Sequence, residues 1–220
     1  MKFEVPSKIC LSLKEINYTK IDEIKQITNA IEIRLDYIYL DINKLKLLNN
    51  NFDLIILKSP DFTIYNQFIK PIKNENINNV FFDIDGNFIL NNKEAIDFPI
   101  SLELNLIISF HNMKLSDIND KFINILSNIN KDNIFIYKII IDEYLIINED
   151  LLSNLYNKLK IKLNKNIILF CEGKNYTETR YLNLKMGAPF TYCALSESTR
   201  TGKGQPTYME FWNYFGKKTI

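Results

Sequence analysis

The fold class this sequence predicts is an α/β (β/α)8 TIM barrel, a single domain over residues 1–220. Three observations carry that prediction. Eight short apolar runs begin at residues 8, 31, 53, 80, 106, 134, 167 and 189, and each is followed by a stretch long enough for a helix. That pitch belongs to a β/α repeat rather than to a solenoid. Several runs are apolar throughout, as expected of strands buried on both faces in a parallel sheet covered by helices. No G-x-G-x-x-G follows the first run, which counts against a doubly wound sheet, the main competitor. At 220 residues and 46% hydrophobic the chain is short for a barrel but can bury a substantial core.

In order, the expected strands are Lys8–Leu13, Ile31–Leu35, Asp53–Leu57, Val80–Ile84, Leu106–Phe110, Ile134–Ile140, Ile167–Cys171 and Pro189–Cys193. Between the first two, Ile21, Ile24, Ile27 and Ile31 recur at helical spacing, predicting a helix over Tyr18–Ala30. Leu45, Leu47 and Leu48 mark the next helix. Ser116–Ile129 carries Ile118, Phe122, Ile125, Leu126 and Ile129, with Ser116 and Asp117 as available caps, and Glu149–Leu163 repeats the pattern. The segment Phe88–Leu104 is the weakest helix, because Pro99 interrupts it. The asparagine clusters at 49–51, 74–79 and 128–133 fall between periodic segments and read as solvated connections.

A net charge of +1 with no block of like charge argues against a nucleic-acid or membrane-surface partner. The opening Met1-Lys2-Phe3-Glu4-Val5-Pro6 contains an acid and no apolar h-region, so a soluble, cytoplasmic protein is expected. Cys10, Cys171 and Cys193 have neither metal nor redox spacing, and reduced, buried thiols are the simplest reading. Arginine is rare: Arg34, Arg180 and Arg200 stand in a chain with 27 basic residues. Where lysine is the default cation, an arginine marks a position that uses the planar guanidinium fork.

The chemistry concentrates where the runs end. Lys138 interrupts the apolar run Asn133–Ile141. Burial disfavours an ammonium and makes the amine a nucleophile able to form a Schiff base, whereas at a strand end the same lysine would snorkel into water. Glu32, Arg34 and Asp36 fall on one face by the strand period of two. The third run ends at Lys58, and the fourth ends in Asp83 and Asp85. Just past the fifth run lies His111, the one histidine and a candidate general acid/base. Thr179-Arg180 follows the seventh run, and Thr201-Gly202-Lys203-Gly204-Gln205-Pro206 follows the eighth. A glycine-containing loop with hydroxyl and amide side chains suits a small carboxylate or phosphate, and is also a common turn composition.

Taken together these pieces resemble type I 3-dehydroquinate dehydratase, the Schiff-base-forming hydro-lyase of the shikimate pathway. The resemblance lies in Ser12 of Cys10-Leu11-Ser12-Leu13, the complete Glu32-Ile33-Arg34-Leu35-Asp36, Ser109-Phe110-His111, Tyr137-Lys138-Ile139, Thr179-Arg180 and Thr201-Gly202-Lys203-Gly204-Gln205, in order across nearly the whole chain. It implies that Lys138 forms an iminium with 3-dehydroquinate and that His111 moves the protons. It further implies that Arg180, Thr201 and Gln205 hold the substrate carboxylate, and that Ser12, Glu32, Arg34 and Lys58 hold the ring. No metal or dissociable cofactor is required, and a homodimer is implied. The chain departs from the family pattern at Lys58, where an arginine is usual, at Cys171-Glu172, which replaces a methionine-rich strand end, and at Lys203, which replaces a proline. Asp61 and Asp83 both stand as candidates for orienting His111. A sugar-phosphate aldolase of the same Schiff-base type, and a catalytically silent carboxylate-binding barrel, are the alternative readings.

Overall fold

The computed structural model describes residues 7–75, 77–92, 103–142, 148–173 and 177–216. The opening hexapeptide and Pro99 lie outside the described residues. The strands are β1 (Ile9–Leu13), β2 (Ala30–Arg34), β3 (Leu54–Lys58), β4 (Val80–Asp85), β5 (Asn105–Met113), β6 (Ile134–Ile141), β7 (Asn166–Cys171) and β8 (Thr191–Cys193). The helices among the described residues are α1 (Ile21–Lys25), α2 (Ile42–Asn49), α3 (Asn66–Asn74), α4 (Gly86–Asn91), α5 (Asp120–Ile129), α6 (Glu149–Leu163), α7 (Thr177–Lys185) and α8 (Tyr208–Phe215). The strand order is β7-β6-β5-β4-β3-β2-β1-β8. Sequential strand order, parallel pairing and one helix after each strand define the (β/α)8 fold.

Contacts divide the chain into two units, residues 1–84 with 192–220 and residues 85–191. In the first, β1, β2, β3 and β4 pair in register: Ser12 lies beside Glu32, Arg34 beside Lys58, and Lys58 beside Asp83. Strands β1, β2 and β3 are buried along their length except at the terminal Arg34 and Lys58, so their apolar residues form the core and the charges gather at the carboxyl ends. In the second, β5, β6 and β7 pair in parallel, and α5 to α7 supply the packing layer.

Differences from the expected elements have local causes. The helix expected over Tyr18–Ala30 is a 3-10 turn at Tyr18–Lys20 followed by a short α1 ending at Lys25. Thr28 stops it: its hydroxyl donates to the Ile9 carbonyl at 2.5 Å and accepts from the Ala30 amide at 3.0 Å, taking the backbone into β2. Ser116 and Asp117 do not cap α5. They lie in a 3-10 turn at Leu115–Asp117, and Asn119 is the cap, accepting from the Phe122 amide at 3.2 Å. The helix over Glu149–Leu163 runs as expected, capped by Asn148 and closed by Asn164 in the left-handed region at φ 49°. The fifth strand runs three residues beyond Phe110, placing His111 within it rather than after it.

Candidate functional site

In the second unit β6 places Lys138. The Tyr137 hydroxyl donates to the Leu126 carbonyl of α5, so Tyr137 faces the helices and Lys138, one residue on, faces the opposite side of the sheet. Lys138 is 4% exposed, which answers the snorkelling alternative. Its register neighbours are Ser109 on β5 and Ile168 on β7. Two residues past Ser109, on the same face and one strand across from the lysine, stands the half-buried His111. The β5–β6 register shifts between Phe110 and Met113, and Asn112 takes φ 55°, so the strand breaks its regular pairing beside the histidine. Bulges of this kind re-aim a side chain at a strand end.

Arg180 belongs to the same unit. It is buried, with its guanidinium carbon 3.9 Å from the centroid of the Phe170 ring. Phe170 is in register with Ile140, two residues beyond Lys138, so the arginine covers that same face toward the strand ends. The Thr179 hydroxyl accepts from the Cys171 amide at 3.0 Å and fixes the start of α7 to the end of β7. Stacking on the Phe170 ring holds the guanidinium plane in place.

In the first unit four of the sequence-predicted residues form one chain of hydrogen bonds. The Ser12 hydroxyl donates to Glu32 Oε1 at 2.6 Å and lies 2.8 Å from the Thr201 hydroxyl. The Thr201 amide donates to Gln205 Oε1 at 2.7 Å, and the one proton of the Thr201 hydroxyl goes either to Ser12 or to that same oxygen, 3.0 Å away. With that oxygen accepting from Thr201, the NH2 end of Gln205 is the part that carries protons to donate.

Arg34 and Lys58 are neighbours by register but each pairs with its own acid. Arg34 binds Asp36 through two nitrogens, Nε at 2.9 Å and Nη2 at 2.7 Å. Burial opposes the Arg34 charge, but the bonds to Asp36 and the field of Glu32 outweigh it and raise the pKa. Because β2 ends at Arg34, Asp36 folds back onto it from the following turn instead of extending the strand.

Lys58 Nζ lies 2.7 Å from Oδ1 of Asp83, whose side chain has no exposed surface. Of the two candidates for orienting His111, Asp83 is thus an ion-pair partner of Lys58. Asp61 caps the turn Phe62–Tyr65 by accepting from the Thr63 amide and hydroxyl at 2.9 and 2.7 Å.

Two contributors had no sequence signal. Tyr65 accepts from the Ser59 amide at 2.8 Å and donates to the Asp83 carbonyl at 2.7 Å, locking the ends of β3 and β4. Burial, with the Asp83 charge second, raises its phenol pKa. The other is Glu210, which binds Arg200. None of the three cysteines is in a disulfide, and all three are buried. Among the described residues no helix is long and apolar enough to cross a membrane, and no cluster of His, Cys, Asp and Glu could hold a metal ion.

Comparison with known proteins adds a family and a fold. The model of the type I 3-dehydroquinase family matches residues 81–215, more than half of the chain. The matched region holds Asp83, His111, Lys138, Arg180, Thr201 and Gln205, while Ser12, Glu32, Arg34 and Lys58 precede it. The solved type I 3-dehydroquinate dehydratase of Clostridium difficile is 20% identical, with a TM-score of 0.65 over 96% of this chain and 91% of that one. The 3-dehydroquinate dehydratase of Aquifex aeolicus is 18% identical, with a TM-score of 0.68 over 97% and 99%. The carboxyl transferase domain of Rhizobium etli pyruvate carboxylase is also similar in fold, at 11% identity and a TM-score of 0.63 over 96% of this chain and 43% of that one. Comparison with curated proteins by sequence yields no match.

Proposed function

The chain belongs to the type I 3-dehydroquinase family, and from that premise we propose that it dehydrates 3-dehydroquinate to 3-dehydroshikimate through an imine on Lys138. The observation that carries this reading is the placement of one lysine, almost wholly buried in β6, on the same sheet face as the one histidine, one strand away. Burial favours the free amine that must attack a carbonyl.

The steps follow from the two side chains. Lys138 Nζ adds to the ring ketone, and the resulting carbinolamine expels its hydroxyl as water with a proton from His111. The iminium draws electrons from the adjacent C–H bond, and His111 removes that proton to leave an enamine. The enamine electrons return to expel the hydroxyl on the next carbon, and His111 supplies the proton with which it leaves as water. A further water adds to the new iminium and releases Lys138 and 3-dehydroshikimate. One water is lost overall, and the iminium itself is the electron sink.

By resemblance Arg180, Thr201 and Gln205 take the substrate carboxylate. The stacked guanidinium of Arg180 and the NH2 of Gln205 supply donors of the right kind. Ser12, Glu32, Arg34 and Lys58 are assigned to the ring hydroxyls, with Lys58 offering a point charge where the family pattern has a fork. A homodimer and a cytoplasmic location belong to the same proposal, and light scattering on the purified protein reads the first. The decisive activity test is the appearance of the conjugated enone absorbance when 3-dehydroquinate is added. Its absence, with folded protein and fresh substrate, would overturn the proposal.

A further inference from the structure

The loop from Arg200 to Thr207 carries Thr201 and Gln205, and one carboxylate outside it holds both of its ends. Arg200 Nη2 donates to both oxygens of Glu210, each at 2.8 Å. At the other end the Thr207 amide donates to Glu210 Oε2 at 2.6 Å, and the Glu210 amide donates back to the Thr207 hydroxyl at 3.2 Å, a reciprocal cap on α8. Beyond that cap the Ala194 amide donates to the Pro206 carbonyl at 2.8 Å and the Tyr208 amide to the Ala194 carbonyl at 3.0 Å, tying the loop exit to β8. Arg200 immediately precedes Thr201, and Thr207 follows Gln205 by two residues, so both tethers sit beside the two residues that bond each other within the loop.

An ion pair this exposed, with side chains 34% and 47% accessible, contributes little to overall stability. What it can do is hold geometry. Without the Arg200 tether the Thr201 end of the loop rests on its contacts with Ser12 and Gln205 alone, and the Thr201–Gln205 bond that aims the amide loosens. We propose that Glu210 is a positioning residue: through Arg200 and Thr207 it fixes the loop that presents Thr201 and Gln205 to the substrate carboxylate. This rests on the reading of those two residues given above.

Two variants separate the tether from the cap. Glu210→Gln keeps an acceptor for the Thr207 amide but loses the charge that holds Arg200, and Arg200→Ala removes the other partner. Each is expected to raise KM for 3-dehydroquinate about three- to tenfold with kcat within twofold, because the loop acts on binding and not on the imine chemistry. The double variant should match the singles instead of multiplying them, since one interaction is removed in all three. Amide exchange of the peptide covering residues 199–207 should quicken in each variant. Unchanged KM, multiplicative effects, or unchanged exchange would each overturn the proposal. Should the unmutated protein fail to turn over 3-dehydroquinate, the functional reading falls by itself, and the exchange measurement still judges the tether.

Discussion

Replacing Lys58 with methionine removes the ammonium that lies 2.7 Å from a carboxylate with no exposed surface. Methionine keeps most of the stem and its packing, so the change falls on the charge. Breaking a buried pair from one side costs roughly 3–5 kcal/mol, because the remaining ion stays desolvated. Protonation sets a ceiling on that cost. From an ordinary Asp pKa of about 3.9, placing a proton on Asp83 costs about 1.4 kcal/mol per pH unit, or about 4 kcal/mol at pH 7 and about 1.5 kcal/mol at pH 5. In the variant the folded state therefore binds more protons than the unfolded chain, and its deficit shrinks as pH falls through that range. Urea unfolding of the variant and the parent at pH 7 and pH 5 measures this directly. A loss near 4 kcal/mol that falls by more than half at pH 5 is expected. A loss below about 1 kcal/mol, or one equal at the two pH values, would refute the account of Lys58–Asp83 as a desolvated pair. Adding Asp83→Leu to Lys58→Met should recover much of the loss, since a well-packed apolar pair of similar volume is close to neutral.

Lys138→Met should abolish dehydration, whereas His111→Ala should slow it by about 10²–10⁴-fold and let the imine accumulate, both read from enone formation and intact mass. Equal, mild losses from the two would contradict the assigned roles. Gly86→Ala would drive a methyl group into the Phe110 ring, which is fully buried and stacked edge-on against Phe122 at 5.1 Å. Moving a buried, stacked ring forces its neighbours to repack, so about 3 kcal/mol of destabilisation is expected. Because Phe110 lies between Ser109 and His111, a drop in kcat should accompany it; a variant with unchanged midpoint and kcat would show that the ring yields freely.

The order of elements was legible because each strand is an apolar run in a chain whose charges gather at strand ends: Lys58, Asp83 and Asp85 announce where β3 and β4 stop. Lys138 was legible as an exception within such a run. What escaped was local competition for the backbone. Thr28 ends α1 with a hydroxyl that reaches Ile9, a residue 19 positions earlier, and no pattern within the helix foretells that bond. Asn119 outcompetes Ser116 and Asp117 as a cap because the 3-10 turn places it where its side chain meets the Phe122 amide. The pairing of the site charges also escaped. Periodicity puts Arg34 and Lys58 on strands, but register decides that Lys58 sits beside Asp83. The turn after β2 then decides that Asp36 meets Arg34. Arg200 and Glu210 stand ten residues apart, and the loop's return onto α8 brings them together.

Reductive trapping decides whether Lys138 is the nucleophile. The protein is incubated with 3-dehydroquinate and sodium borohydride, its intact mass is measured, and any adduct is mapped by peptide. A single reduced adduct is expected, a secondary amine on Lys138 that is absent from Lys138→Met. No adduct, or one on another lysine, would contradict that role.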